Sequence, residues 1–553
     1  MPVDPITVSV VQHRLHGIVE EMGEAMLRTS YSQILNSSRD FSTALADPRG
    51  RLVAQAEHVP IHVGALPFAV RAVQAAFEGR IRPGDVFLLN DPYRGGNHLP
   101  DLTAFVPVFA DGRHLFWSIN RAHQSDIGGA THGAYNPAAT EIWQEGIRVP
   151  PLRLYDAGSL REDVLDLLAL NVRHPRDFKG DLAAMIGSAR LGARRLEALL
   201  AELGTATALE AVEAVLDGAE RRVRAILASW PDGVYRGEAV LDDDGHGRTD
   251  VTIRATVTKR GSDLEVDLSE SDPECAGFVN SSYPNTYSAC VVALAYLIDA
   301  DIPKNDGAFR PLAMKVREGT VVHPREGRPV TLCTNHCGQE IIEAIVKALA
   351  PACPERAMAG WGRRFRVALK GTDPRNGRPF LWHLFQARPG GGASSAGDGW
   401  PAAGEWQAAG GIKFGSLEVH EVRFPLFFVR HELRPDSGGD GEHRGGPGAI
   451  LEMRIEVAEP AVANTAGDGV RHGACGILGG KDGAPHDYRL RSADGTERML
   501  KTKEVGIVVR PGDVLVARSG GGGGWGDPAR RSAAARARDL AEGYVEATPE
   551  AGR

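Results

Sequence analysis

The sequence predicts an α+β protein of more than one domain, and three observations carry that expectation. The chain has 553 residues, enough for several domains that each bury a core. Its N-terminal part mixes helical periodicity with hairpins, whereas from about Asp232 the apolar pattern takes on the alternation of antiparallel strands. It also carries 66 glycines, well above ordinary usage, without the three-residue period of collagen.

In chain order, Val11, Leu15, Ile18, Val19, Met22 and Met26 recur at helical spacing and predict an amphipathic helix. Phe41 to Leu45 and Arg51 to Ala54 flank an Asp47-Pro48-Arg49-Gly50 turn and read as a hairpin. A helix is expected over Pro67 to Phe77, then strands at Val86 to Leu89, Leu102 to Phe109 and Leu115 to Ile119. Leu160 to Leu216 reads as mostly helical, most clearly from Asp181 to Leu200. Tyr235 to Leu241, Asp250 to Val257 and Leu264 to Leu268 alternate as strands do, and Val279 to Leu297 and Glu340 to Leu349 return to helical spacing. The remainder is strand-rich and punctuated by glycine until Gly526, with a helical tail over Ala529 to Val545. Three consecutive regions follow: a mixed α/β region at 1–230, a central α+β region at 231–420, and a Gly-rich β region with the helical tail at 421–553.

Composition excludes several classes of function. A formal net charge of −8 argues against a chain that works by neutralising phosphates or anionic lipid, so neither nucleic acid nor membrane is an expected partner. The longest apolar run, near Cys290 to Ile298, is too short to cross a bilayer, and MPVDPITVSV lacks the basic-then-apolar pattern of a leader. Six cysteines at irregular spacing make no disulfide framework. A cytoplasmic protein with reduced thiols is the expectation.

The densest polar chemistry lies between Asn90 and Glu145. Pro100 disfavours a helix at His98-Leu99-Pro100-Asp101, which places this stretch in a loop entering the strand Leu102 to Phe109. That strand turns at Asp111-Gly112 and returns through Arg113 to His123. A three-residue loop sets Asp101 directly opposite His123, and a two-residue loop makes them near neighbours. Either register brings their Cβ atoms to roughly 5–8 Å, with His98 at the same end. Two imidazoles and a carboxylate suit Mn²⁺, Fe²⁺ or Zn²⁺ better than a hard all-oxygen ion. The spacing equally admits His98 and His123 as strand-end groups bonded to nearby carbonyls.

Other polar residues surround this set. Asp126 and His132 follow His123 closely and could line the same mouth, whereas Glu141 and Glu145 are expected on a solvated helical turn. His58 and His62 have i,i+4 spacing, but Pro60 between them spoils a helical metal pair. One of the two could instead face the site as a proton-transfer group. Asp40 is read as a buried carboxylate near the same hairpins, or as a cap or turn residue. Cys333, His336 and Cys337 cluster without a second CxxC to complete a zinc site, and no base is evident for a nucleophilic cysteine. Nucleotide-binding signatures are absent from the sequence.

These same stretches carry a resemblance. DPITVSVVQHRLHGIVEEMGEAMLRTSYS, RDFSTALAD, HVPIHVGALP, GDVFLLNDPYRGGNHLPDLT, NRAHQSDIGG, TEIWQEGIRVPP, DIPKNDG, ELRPDSGGDGEHRGGPG, SGGGGGWGDP and DLAEGYV resemble the hydantoinase B/oxoprolinase family from Asp4 to Val545. The resemblance implies a B-type subunit of an ATP-dependent hydrolase of cyclic amides such as hydantoin or 5-oxoproline. It implies an A-type, ATPase-like partner in a hetero-oligomer, which uses the ATP and phosphorylates the substrate's carbonyl oxygen. It further implies a divalent metal (manganese or zinc, with iron as an option) on His98, Asp101 and His123, the positions that match an HxxD motif and a later histidine. A metal-bound water is then the expected nucleophile, with Asp126, His132, His62 or Asp40 moving protons. The related acetone and acetophenone carboxylase subunits make an ATP-dependent carboxylase the alternative, and a non-catalytic assembly subunit is a third reading. CTNHCGQEII and PGGGASSAGDG depart from the family pattern, which bears on substrate contacts. The glycine clusters at 95–96, 128–129, 390–392, 438–448 and 520–526 are expected to form ordered turns that shape the site and a subunit interface.

Overall fold

A computed structural model describes residues 3–56 and 58–546. The outermost residues of the first and third expected regions, 1–2 and 547–553, lie outside the described residues. The chain forms two compact units: Met1–Tyr235 with Ile253–Ile341 and Gly411–Lys413, and Arg236–Thr252 with Ile342–Gly410 and Phe414–Arg553. Residues 231–420 therefore divide between both units. Chain returns of this kind rest on long-range bonds, such as Lys413 N–H to the Ser38 carbonyl at 2.9 Å, which no local pattern announces.

The first unit opens with the helix Pro5–Thr29. Asp4 caps it by accepting from the Ile6 and Thr7 N–H groups, and Pro5 begins it where no N–H is needed. Strands β1 (Phe41–Ala46), β2 (Leu52–Ala56), β3 (Val86–Leu89), β4 (Asp101–Ala110), β5 (Arg113–His123), β6 (Leu152–Asp156) and β7 (Ser159–Leu160) follow. They build one antiparallel sheet in the order β2-β1-β5-β4-β3-β6-β7.

Both faces of this sheet are covered. Phe105, Trp117 and Ile119 pack with Leu66, Val70 and Val73 of the helix Leu66–Ala76. On the opposite face Asn120 bonds Ser188 of the helix Pro175–Leu203 at 3.0 Å, and Ser188 donates to the Met22 carbonyl at 2.8 Å. Burial on both sides explains why β5 is closed from Phe116 to His123 and reads poorly as an alternating strand.

The expected turn is present, since Asp111 and Gly112 take φ of 50° and 69° as a two-residue hairpin turn requires. Both registers left open by the sequence occur in succession. Ala110 pairs with Arg113 and Phe109 with His114 beside the turn; a bulge at Leu115 then shifts the ladder, and Asp101 lies opposite His123.

Strands β8 (Gly233–Asp243) and β9 (Thr249–Arg260) contain the first two of the five chain crossings between units. β10 (Asp263–Asp267) runs antiparallel to β9 and parallel to β11 (Leu312–Lys315). The helix expected from Val279 begins at Tyr283, because Ser282 caps it.

The second unit is a sandwich. β12 (Phe365–Thr372), β13 (Pro379–His383), β14 (Leu426–Leu433), β15 (Ala449–Ile455), β16 (Ala461–Gly467), β17 (Asp487–Arg491), β18 (Glu497–Met499), β19 (Lys503–Val509) and β20 (Val514–Arg518) are its strands. They form two sheets, β13-β12-β16-β19 and β14-β15-β20-β17-β18. Val367, Leu369, Trp382 and Ile507 of one sheet share a core with Met453, Ile455 and Leu515 of the other.

At the edge of this core His420 accepts from Trp382 Nε1 at 3.0 Å through Nδ1. Indole can only donate, so the ring is held neutral, and burial, reinforced by Arg423, lowers its pKa to about 4. The unfolded chain takes up this proton near pH 6.5. His420 thus contributes stability above pH 6.5 that is lost as pH falls towards 4. A loss of about 2 kcal/mol is expected between pH 7 and pH 5. Urea unfolding at both pH values measures it, and His420→Gln should flatten that part of the profile.

The glycines of the 520–526 cluster, at the C-terminal end of the second unit, are buried. Gly521 to Gly524 lie among extended segments outside the regular ladders. Gly522 N–H donates to the Gly446 carbonyl (2.9 Å), Gly439 N–H to Gly522 (2.8 Å), Gly523 N–H to Gly360 (2.8 Å) and Gly390 N–H to Gly520 (3.0 Å). A Cβ at Gly522 would overlap the Gly391 carbonyl oxygen, and one at Gly523 that of Cys475. Glycine is required here for backbone-to-backbone approach, since neither residue has a positive φ.

Candidate metal centre

The β4/β5 hairpin ends in the first unit with His98, Asp101 and His123 together and buried. His98 Nε2 lies 2.9 Å from Asp101 Oδ1, and His123 Nδ1 lies 3.3 Å from the same oxygen. One donor atom from each residue falls within 4.8 Å of the others. His98 does bond a carbonyl, that of Thr331, through Nδ1 at 2.6 Å. A carbonyl only accepts, so Nδ1 carries a proton, and Nε2 faces Asp101. His98 Nε2 and Asp101 Oδ1 are both buried, yet neither has a hydrogen-bond partner of acceptable geometry. Two ligand-capable atoms aimed at one another in a buried site are what a shared cation would resolve. The residues present fit a divalent ion of the Mn²⁺, Fe²⁺ or Zn²⁺ type.

Burial opposes ionisation of Asp101, yet the imidazoles around it hold its carboxyl well below the usual carboxylate range. His62, on the short helix Pro60–Val63, brings Nε2 to 3.4 Å from Asp101 Oδ2 and to 3.5 Å from Asp40 Oδ1. Pro60 occupies the first helical position, so it starts the turn that aims His62 rather than interrupting a His58–His62 pair. Burial lowers the His62 pKa to about 4 despite Asp101, keeping the ring neutral. Asp40 accepts the His123 N–H through its own carbonyl at 3.0 Å. Its side chain is 11% exposed where that of Asp101 has no exposure, so His62 links a rim carboxylate to an interior one. His58 instead packs on Phe41, with ring centres 4.8 Å apart.

Asp126 is committed elsewhere. Its carboxylate accepts from the Arg173 backbone N–H at 2.7 Å and from its guanidinium at 2.8 Å, tying the loop after β5 to the chain ahead of the helix Pro175–Leu203. Charge-assisted bonds of this kind favour anchoring over the expected proton transfer. His132 is buried on the same loop. So is Tyr135, whose ring stacks on His123 with centres 5.7 Å apart and meets His98 edge-on at 6.1 Å. Asn335 Nδ2 donates to the Tyr135 hydroxyl at 2.8 Å.

Glu145 corrects an expectation. Glu141 is exposed as predicted, but Glu145, although on the predicted helical turn, is buried. It accepts from the Val330 and Thr331 N–H groups, each at 2.9 Å, and burial pushes its carboxyl up to about 7. Burial also pushes the Cys333 and Cys337 thiols well up, leaving them protonated.

Arg121, also missed in the sequence, lies on the site's face of β5, two residues before His123, and is fully buried. It donates to Thr103 Oγ1 (2.8 Å), the His62 carbonyl (2.7 Å) and Asn97 Oδ1 (2.7 Å), and burial lowers its pKa to about 10 despite Asp101. Arg121→Met should cost about 3–5 kcal/mol, because three buried acceptors and a carboxylate lose their cation; urea unfolding measures it.

His98, Asp101 and His123 thus form a buried two-histidine, one-carboxylate set at the end of a hairpin in the first unit. The profile of the hydantoinase B/oxoprolinase family matches residues 4–528. The chain belongs to that family. It is 36% identical over 551 residues to the beta subunit of caprolactamase from Pseudomonas jessenii, covering 98% of this chain and 94% of the other. It is 30% identical to the B subunit of a putative D-/L-hydantoinase from Pseudomonas sp. (strain NS671), covering 98% and 93%. The crystal structure of ATP-dependent caprolactamase from Pseudomonas jessenii matches with a TM-score of 0.92 at 35% identity, covering 98% and 95%. An acetone carboxylase structure shares the fold, with a TM-score of 0.89 at 21% identity, covering 98% of this chain and 78% of the other. Among the described residues no helix is long and apolar enough to cross a membrane.

Proposed function

We propose that this chain is the B-type subunit of an ATP-dependent hydrolase of cyclic amides, working with an A-type partner that binds ATP. What carries the reading is the buried His98–Asp101–His123 set within a chain alike along nearly its whole length to a caprolactamase subunit. The shared fold with an acetone carboxylase does not by itself favour carboxylation, and the higher identity lies with the lactam-cleaving relative.

A lactam carbonyl is a poor electrophile because nitrogen donation stabilises it. Phosphorylation of its oxygen on the partner subunit removes that stabilisation. His98, Asp101 and His123 would hold the divalent ion, which supplies Lewis acidity and lowers the pKa of water at the site towards neutrality. The chain's own groups handle the protons and the shape. Ring opening requires a proton to leave the attacking water, another to reach the departing nitrogen, and the phosphoryl group to depart as inorganic phosphate. His62, neutral and between Asp101 and Asp40, relays protons between the interior and the rim, with His132 a second candidate. Tyr135 covers the imidazoles and excludes bulk water.

Coexpression with an A-type partner and assay of caprolactam, hydantoin and 5-oxoproline with ATP tests this reading. Lactam-dependent ADP release with formation of the ring-opened product is expected. No ADP release with any cyclic amide, or bicarbonate-dependent consumption of acetone or an aryl ketone, would overturn it.

A further inference from the structure

We propose that Glu145 is a positioning residue for this centre, setting the orientation and tautomer of His98 through the peptide of Val330 and Thr331. The inference rests on the metal-centre reading above and adds a residue to it. The two oxygens of the carboxylate take separate tasks: Oε2 accepts from Val330 N–H and Oε1 from Thr331 N–H, both at 2.9 Å. Two successive N–H groups held by one planar group cannot rotate independently, so the strand of backbone leading to the Thr331 carbonyl has a fixed direction. That carbonyl meets His98 Nδ1 at 2.6 Å. Glu145 thereby reaches a ligand that it does not touch, across a separation of 233 residues between His98 and Thr331.

The rest of the segment is tied down as well, which makes Glu145 one of several determinants with a distinct task. Leu332 N–H bonds the Phe278 carbonyl at 3.1 Å, and the Cys333 carbonyl accepts from Asn285 Nδ2 at 2.9 Å. These bonds locate the segment after the Thr331 peptide; Glu145 alone among these groups holds the N–H of Thr331 itself. The turn carrying Glu145 is fitted closely to the loop after β5. Gly129, at φ 78°, passes so near the Glu145 backbone that a Cβ there would lie 2.7 Å from its carbonyl carbon. A buried carboxylate is costly unless hydrogen-bonded, and for Glu145 the two backbone N–H groups supply those bonds. Outer groups that orient a ligating imidazole typically carry tenfold to a hundredfold of metal affinity.

The test uses the full-length chain with its partner subunit, stripped of metal and titrated with Mn²⁺ alone. Glu145→Ala should weaken Mn²⁺ binding by about 10–100-fold. Glu145→Gln keeps one acceptor oxygen but sets its amide N–H₂ against the second backbone N–H, and should weaken binding by about 3–10-fold. Circular dichroism and the unfolding midpoint of the metal-free protein are measured in parallel. A purely structural Glu145 would lower that midpoint and leave Mn²⁺ affinity of the folded protein unchanged. Equal affinity in the folded variants and the unsubstituted protein therefore overturns this inference alone. Should Glu145→Ala fail to fold, Glu145→Gln decides by the same criterion. Absence of Mn²⁺ uptake by the unsubstituted protein would overturn the metal-centre reading together with this one.

Discussion

His123→Ala is expected to reduce formation of the ring-opened product by about 10³-fold or more while the chain stays folded. Binding of a divalent ion moves the pKa of water from 15.7 to about 7. Loss of the ion therefore forfeits most of the nucleophile available at neutral pH. His123 is the most economical of the three positions to alter. It ends β5, lies under the Tyr135 ring, and leaves the backbone bond to Asp40 in place when its side chain is removed. Asp101→Asn should have the same effect through a different route, removing the carboxylate charge while keeping its shape. The measurement is turnover of a lactam with ATP and the partner present, alongside the circular dichroism of each variant. If phosphoryl transfer belongs to the partner, ADP release in the first turnover should persist in His123→Ala.

Gly522→Ala is expected to cost more than about 4 kcal/mol, beyond the ordinary range for one added methyl. The added carbon meets the Gly391 carbonyl oxygen and carbon. These are backbone atoms fixed by hydrogen bonds on several sides, so nothing can swing away. Gly187→Ala supplies the opposite case on the same chain. Gly187 lies on the exposed face of the helix Pro175–Leu203 with nothing within 4 Å of a built Cβ. Alanine there should raise stability by about 0.5–1 kcal/mol through helix propensity. Urea unfolding of both variants separates glycine needed for close approach from glycine that is merely tolerated.

The hairpin that carries the site was legible because its determinants are local. Asp111 and Gly112 supply the positive φ of the turn, and the strand period then dictates which residues face one another. His62 was legible only as one of two, since the structural effect of Pro60 depends on which side of it the helix forms. Glu145 was misread for a related reason. Its sequence neighbours include exposed Glu141 and Trp143, and the groups that justify its burial, the N–H donors of Val330 and Thr331, lie 185 and 186 residues away. Arg121 was overlooked because an arginine on a strand ordinarily marks a solvated face, and β5 has no solvated face at this end. The glycine clusters drew attention by composition, but backbone packing against other glycines leaves no periodicity to read. Both the division of 231–420 and the burial of Gly521 to Gly524 arise from segments distant in the chain.

His98, Asp101 and His123 are proposed to hold one divalent ion. Elemental analysis of the purified complex, beside the same complex carrying His123→Ala, tests it most directly. The account predicts close to one equivalent of a first-row divalent metal per copy of this chain, falling to near zero in the variant. Equal metal content in both complexes, or none in the unsubstituted one with lactam turnover intact, would contradict it.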